Sequence, residues 1–524
     1  MSMSGHVPTV PAPTPLLEPD LLAADPEGIV EVGRLVSELT SEAAKALRRR
    51  GGPLPPLTPV ELAHVVDAQL PEGPLPREGG GRDAVLALAR AYASYTVDLA
   101  DPRAAAHLQP PALGVATATD VLASAFNASV DTWDSGPIAV ELESRLVRAL
   151  TALAGYGPRA DGVLTPGGTA SNLQALLIAR DTALRAQRDI RGEGLAGLAT
   201  RPVVYCSELA HFSVARACAV LGLGEDAVRP VPADAHRRMT AEALELALAE
   251  RTEEELPIAV VATAGTTDYG SIDPLPELAA VAERHGVRLH VDAAYGGGAL
   301  FSDRLRPLLA GIEAADSITI DLHKTAWQPA AASVLLVRDA ADLTASTGLR
   351  VAYLNPDDDG AAGYDGLLGH SLATTRRADA LKVVATFLAL GQRGVGAMLE
   401  ACHDLATFAA EAIAARPRLR LTATPVLTTV VFRYVPEHGT SGGTGEGPAD
   451  AARADAINGA LRRRLLLQGR ALIGRTDDVA EDATGGRVRL KLTLLNPQAT
   501  RDDIQELLTA VEVAGRAVET EELP

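Results

Sequence analysis

With 67 acidic residues against 48 lysines and arginines, this chain of 524 residues carries a net charge of −19, which disfavours nucleic acid or an anionic membrane as its partner. Apolar residues make up 47 %, which excludes a disordered chain and leaves a globular protein long enough for more than one domain. No apolar run reaches the length of a membrane span, no basic-then-apolar leader opens the chain, and the three cysteines lack metal-ligand spacing, so a cytoplasmic protein with reduced thiols and no metal is expected.

In chain order, residues 1–15 are polar and proline-rich and predict a disordered arm. Helical periodicity follows over 25–50, 59–69 and 82–99, together a helical N-terminal segment over residues 16–108. Gln109-Pro110-Pro111 ends it. From 109 to 394, short apolar runs alternate with helical stretches, the pattern of an α/β domain. The tail, 395–524, reads as a small α+β domain: a helix over 395–416, strand-like runs over 427–434 and 488–494, and helices over 449–468 and 500–516. A Gly/Thr/Ser stretch at 438–448 predicts a loop. No internal repeat is evident.

Five strand ends in the α/β region carry chemistry. The run 161–164 leads into Thr165-Pro166-Gly167-Gly168-Thr169-Ala170-Ser171-Asn172 and then a helix, a strand–turn–helix start whose free amides and dipole suit a phosphate. Alone, it is more often an ordinary capped turn. After the run 203–206 comes His211, an imidazole able to stack on a planar heteroaromatic ring, although a lone histidine near a helix start is usually structural. The apolar run 258–262 ends in a hydroxyl-rich loop containing Thr266. Val291 is followed by Asp292-Ala293-Ala294-Tyr295, and Ile320 by Asp321-Leu322-His323-Lys324. In open α/β sheets ligands bind beyond strand ends. An acid at one end and a lysine at another are what pyridoxal phosphate (PLP) requires: the lysine to attach the cofactor, the acid to keep its pyridine nitrogen protonated. Asp292 could be a mere cap and Lys324 a solvated surface lysine. Five strand ends that each present a residue type one cofactor needs make coincidence the weaker account.

These segments resemble the group II PLP-dependent decarboxylases, the family of glutamate and aromatic amino acid decarboxylases. Within it they are most similar to the L-2,4-diaminobutyrate decarboxylase branch and the related siderophore-pathway lysine decarboxylases. The likeness runs through 106–111, 125–129, Trp133-Asp134-Ser135-Gly136-Pro137, 165–177, 208–217, 262–274, 290–297 and 321–339. Tyr353-Leu354-Asn355-Pro356, the stretch 371–382 with Arg376-Arg377, and 490–497 resemble the diaminobutyrate branch in particular.

The resemblance implies fold type I: a large domain with a mostly parallel seven-stranded sheet, and a homodimer with interface active sites, the N-terminal segment clasping the partner. It implies that Lys324 binds PLP covalently and that His323 supports the phosphate or the substrate carboxylate. Asp292 would pair with the pyridine nitrogen, Ala294 pack beneath the ring, His211 stack above it and Thr266 approach its hydroxyl side. Gly168, Thr169 and Ala170 would hold the phosphate. A tyrosine on a mobile loop, here within 339–372, commonly protonates the substrate carbon; Tyr364 is the best positional match and Tyr353 the runner-up. Relatives lacking that tyrosine become aldehyde-forming oxidases. Three departures bear on the substrate: Arg103-Ala104-Ala105-Ala106 lacks the aromatic enzymes' aromatics, Ser135-Gly136-Pro137-Ile138 departs from the usual pattern, and Ala378 replaces a phenylalanine. The expected reaction is α-decarboxylation of an L-amino acid to an amine and CO2, a diamino acid (2,4-diaminobutyrate, lysine or ornithine) favoured, with Asp131 or Asp134 available to a distal ammonium. The alternatives are decarboxylation-coupled oxidative deamination, another amino acid side chain, or a catalytically silent PLP-binding protein.

Overall fold

The computed structural model describes residues 22–70, 73–349, 351, 353–354, 356–437, 448–478 and 487–521, so the arm expected over 1–15 and nearly all of the loop expected over 438–448 lie outside the described residues. Strands are numbered in chain order: β1 (Ala104–Ala105), β2 (Asp161–Thr165), β3 (Arg201–Ser207), β4 (Val228–Val231), β5 (Glu255–Thr263), β6 (Arg288–Asp292), β7 (Ser317–Ile320), β8 (Ser333–Val337), β9 (Leu419–Leu421), β10 (Thr429–Tyr434), β11 (Leu472–Asp477) and β12 (Val488–Thr493).

Seven strands form one sheet in the order β2-β8-β7-β6-β5-β3-β4. β8 runs antiparallel to both neighbours and the other pairs are parallel. Every residue of β7 and β8 is buried. Strands covered on both faces need apolar side chains on both faces, which is why they read as unbroken runs. Because β8 opposes both β2 and β7, those two point the same way. The carboxyl ends of β2, β3, β5, β6 and β7 therefore lie along one edge, with Thr263, Asp292 and Thr319 in register.

The N-terminal helices Pro26–Leu47 and Gly81–Tyr95 pair through Arg82, which bridges Glu31 at 2.9 Å and Glu38 at 2.7 Å. The second helix, Pro59–Gln69, starts with a capping box between Thr58 and Glu61. The helix expected to reach residue 99 stops at Tyr95. Thr96 turns extended, and the Asp98 amide donates to the Pro53 carbonyl at 2.8 Å, drawing the chain off the helical path.

The smaller sheet, β1-β11-β12-β10-β9, shares an apolar core with the helices Pro448–Leu467 and Arg501–Glu519. The helix expected over 395–416 is the second half of Ala380–Ala414, which breaks at Gly391, where φ is 67°. The small sheet buttresses the large one at Tyr295, whose hydroxyl lies 2.8 Å from Thr428 Oγ1 and 2.9 Å from Thr429 Oγ1. Among the described residues no helix is long and apolar enough to cross a membrane. All three cysteines are buried and unpaired.

Candidate active site

A cavity of about 650 Å³ opens at the carboxyl edge of the large sheet. Its wall includes Gly168, Thr169, Ala170, His211, Asp292, Ala294, His323 and Lys324, so eight of the residues singled out in the sequence meet in one space. The sheet register explains why: each follows the end of a strand on the same edge.

Lys324 lies on a one-turn helix, Leu322–Thr325, directly after β7. Its Nζ is 2.8 Å from Asp321 Oδ2. Asp321 is 2 % exposed, and its second oxygen, Oδ1, is buried without a hydrogen-bond partner. His323 is held from behind: its amide donates to the Ala332 carbonyl at 2.9 Å, and its Nδ1 accepts from the Ala332 amide at 3.1 Å. That arrangement leaves Nε2 facing Asp321 Oδ2, 3.6 Å away. Burial pushes the His323 pKa down, partly opposed by Asp321. The loop behind Lys324 is pinned by Lys382, 1 % exposed, whose Nζ reaches Asp379 Oδ1 at 3.0 Å and the Ala331 carbonyl at 3.3 Å.

Asp292, at the end of β6, accepts from Asn172 Nδ2 at 2.7 Å and from the Ala294 amide at 3.1 Å. His211 Nδ1 lies 2.8 Å from Ser213 Oγ, and burial holds the imidazole below its usual pKa, opposed by Asp292. Gly168 begins the helix Gly168–Leu184, whose first amides have no intrahelical acceptor. A Cβ on Gly168 would stand 3.1 Å from the Ala294 methyl and 3.1 Å from Asp321 Oδ2, so a side chain there would need both neighbours to give way by a few tenths of an ångström.

Thr266 lies beside the cavity with its hydroxyl turned to Ser271 Oγ at 2.7 Å, while its neighbours Gly265 and Thr267 line the wall. Tyr364 and Tyr353 do not line the cavity of their own chain. Tyr364 packs edge-on against Trp133, ring centroids 5.0 Å apart, and the chain after it is tied down where the Leu367 and Leu368 amides donate to the Val130 and Asp131 carbonyls. Asp131 and Asp134 lie in this same turn, their side chains accepting from the Thr132 amide at 3.0 Å and the Thr132 hydroxyl at 2.6 Å. Sequence reasoning missed Asp321 and Asn172 as individual groups. Asp321 carried a readable signal, an acid one helical turn before the lysine; Asn172 resembled any polar residue in a helix start.

The donor set fits PLP. An amine and a buried carboxylate line one cavity, an imidazole lies beside them, and a glycine-lined helix start offers amides and a positive dipole end to a phosphate.

Comparison with known proteins agrees. Residues 78–435 match the pyridoxal-dependent decarboxylase conserved domain. The chain is 43 % identical to L-2,4-diaminobutyrate decarboxylase of Rhizobium meliloti (strain 1021) over 451 residues, 85 % of each chain. It is 34 % identical to the enzyme of that name from Acinetobacter baumannii, over 83 % of this chain and 84 % of the relative. Among solved structures, mouse CSAD in apo form superposes with a TM-score of 0.83 at 29 % identity, covering 93 % of this chain and 99 % of that one. A match of this extent joined to this cavity decides the matter, and the chain belongs to the pyridoxal-dependent decarboxylases as a PLP-dependent amino acid decarboxylase.

Proposed function

We propose that this decarboxylase acts on an L-diamino acid, 2,4-diaminobutyrate ahead of lysine or ornithine, releasing CO2 and a diamine. The observation that carries the reading is a cavity holding both Lys324 and Asp292 in a chain whose relatives at 43 % and 34 % identity are named for 2,4-diaminobutyrate. When bound, PLP supplies a sink for the electron pair left as the carbon–carboxylate bond breaks.

The residues divide the work. Lys324 attaches the cofactor, and Asp321 holds its amine at 2.8 Å in position to do so. Asp292 would face the pyridine nitrogen and raise that nitrogen's pKa, because a neighbouring carboxylate favours the protonated form. Gly168, Thr169 and Ala170 hold the phosphate at the helix start. With PLP bound, Ala294 would pack beneath its ring and His211 would stack above it, both lining the same cavity. Thr266 braces, through Ser271, the loop on the ring's hydroxyl side. His323, fixed by Ala332, supports the phosphate or the substrate carboxylate. Tyr364 returns a proton to the carbon that lost CO2, as a general acid on a lid.

In this reading the enzyme is a cytoplasmic homodimer, and each Tyr364 serves the partner's cavity. Two features support the dimer: Tyr364 sits outside the cavity of its own chain, and Tyr92, Ile138 and Leu388 expose apolar side chains. The PLP-loaded protein, incubated with 2,4-diaminobutyrate, ornithine, lysine, glutamate, aspartate, aliphatic and aromatic amino acids, is read by mass spectrometry. The expected product is 1,3-diaminopropane from 2,4-diaminobutyrate. An aldehyde with ammonia and peroxide would instead report oxidative deamination, and a different amine would reassign the side chain.

A further inference from the structure

Four buried polar side chains from four different elements form one network with Asp292 and His211: Asn172, which lines the cavity, and Ser213 link the two, and His290 and Ser317 branch from Asn172. Ser317 comes from β7, His290 from β6, Asn172 from the helix Gly168–Leu184 and Ser213 from the helix Ser213–Val220, and none exceeds 5 % exposure. Asn172 is the junction. Its Nδ2 lies 2.7 Å from Asp292 Oδ2 and 2.9 Å from Ser213 Oγ, and its Oδ1 lies 3.0 Å from His290 Nε2. His290 Nδ1 lies 2.9 Å from Ser317 Oγ, and His211 Nδ1 lies 2.8 Å from Ser213 Oγ.

Donor accounting gives these contacts a direction. A carboxylate only accepts, so the Asn172 atom facing Asp292 is the amide NH2, and the carbonyl oxygen faces His290. His290 must then donate from Nε2 and accept at Nδ1 from the Ser317 hydroxyl. The second Asn172 N–H goes to the Ser213 oxygen. Ser213 has one proton left, and it points at His211 Nδ1. The Ser213 amide, 3.3 Å from the same nitrogen, points the same way. His211 therefore accepts at Nδ1 and carries its proton on Nε2, the ring nitrogen away from Ser213.

We infer that Asn172 is a positioning residue that sets two groups of the active site at once: it holds Asp292 as an acceptor-only carboxylate and, through Ser213, fixes His211 in the Nε2–H form. The inference rests on the reading that Asp292 and His211 face the cofactor, but it is tested on the imidazole itself. Each polar atom of the Asn172 side chain is committed, so no isosteric residue repeats the pattern. An aspartate there would accept the Ser213 proton instead of donating to Ser213, removing the hydroxyl donor from His211 Nδ1.

The experiment is magic-angle-spinning 15N NMR of holoenzyme labelled on histidine imidazoles, with the His211 signals assigned by their loss in His211→Gln. Wild type is expected to show His211 as Nε2–H. In Ser213→Ala the ratio of Nε2–H to Nδ1–H falls about fivefold or more, the worth of one lost hydrogen bond. Ser213→Thr, which keeps the hydroxyl, restores it. Asn172→Asp gives the same fall while Ser213 is intact, and the two Ser213 variants keep the test available should that protein fail to fold. Wild-type His211 protonated at Nδ1, or a Ser213→Ala ratio equal to wild type, would overturn the inference. A protein whose His211 behaves as expected but which turns over no amino acid would fault the functional reading alone.

Discussion

Lys324 Nζ lies 2.8 Å from Asp321 Oδ2, one helical turn away, and Asp321 is itself buried against Gly168. The lysine expected to attach the cofactor is therefore held by a carboxylate that solvent barely reaches. A charge-assisted hydrogen bond in such a place both orients the amine and limits its wandering. Asp321→Leu removes the acceptor and leaves the amine without its buried partner. The expected result is about tenfold slower formation of borohydride-trappable PLP adduct, the kinetic equivalent of one such bond. Adduct formation at the wild-type rate would show that Asp321 does not prepare Lys324.

Asp292→Ala separates binding from chemistry. The phosphate cradle proposed at Gly168 and Lys324, the residue proposed to attach the cofactor, both remain, so PLP is expected still to load and its absorbance to persist. Turnover is expected to fall by orders of magnitude, because the pyridine nitrogen would lose the carboxylate proposed to keep it protonated. Near-normal turnover in the loaded variant would remove Asp292 from its assigned role.

His290 makes stability depend on pH. Burial pushes its pKa down to about 4 from the usual 6.5, opposed by Asp292 and reinforced slightly by Arg288. A value lowered on folding means that the unfolded chain takes up the proton first. The contribution is fully present above about pH 6.5 and is lost as pH falls through about 4. The loss is on the order of 3 kcal/mol. Urea midpoints of wild type and His290→Gln at pH 7 and pH 4.5 check it, since groups that do not act on His290 titrate alike in both. The variant should show the shallower decline; parallel declines would sink the assignment.

The position of Tyr364 against Trp133 leads to a complementation test. Lys324→Ala and Tyr364→Phe chains are each expected to lack amine-forming activity. If each lid serves the partner's cavity, half of the randomly assembled dimers are mixed and each mixed dimer has one intact site. Co-expression should then recover about a quarter of wild-type activity. A lid that serves its own chain gives one doubly damaged site and one intact site only when both mutations share a chain, so no recovery would place Tyr364 in cis.

Much of this protein is determined by local sequence. Apolar runs long enough to fill buried strands, Pro59 after a capping threonine, and glycines before a helix start all act over a few residues, and their positions can be read directly. That is why the five strand ends, with His211, Asp292 and Lys324 on them, are legible in the sequence itself. The two-residue β1 and the three-residue β9 are not, because so short a strand has no period to detect. Nor is β11, whose alternation is weak. Tertiary structure alone decided which strand ends became neighbours. β8, inserted antiparallel between β2 and β7, brings the Gly168 turn against Asp321, although 153 residues separate them in the chain. It likewise decided that Asn172 would meet Asp292, Ser213 and His290, and that Tyr364 would rest on Trp133 outside the cavity. Periodicity reports which face of an element is buried; only packing determines which side chain from another element meets it there.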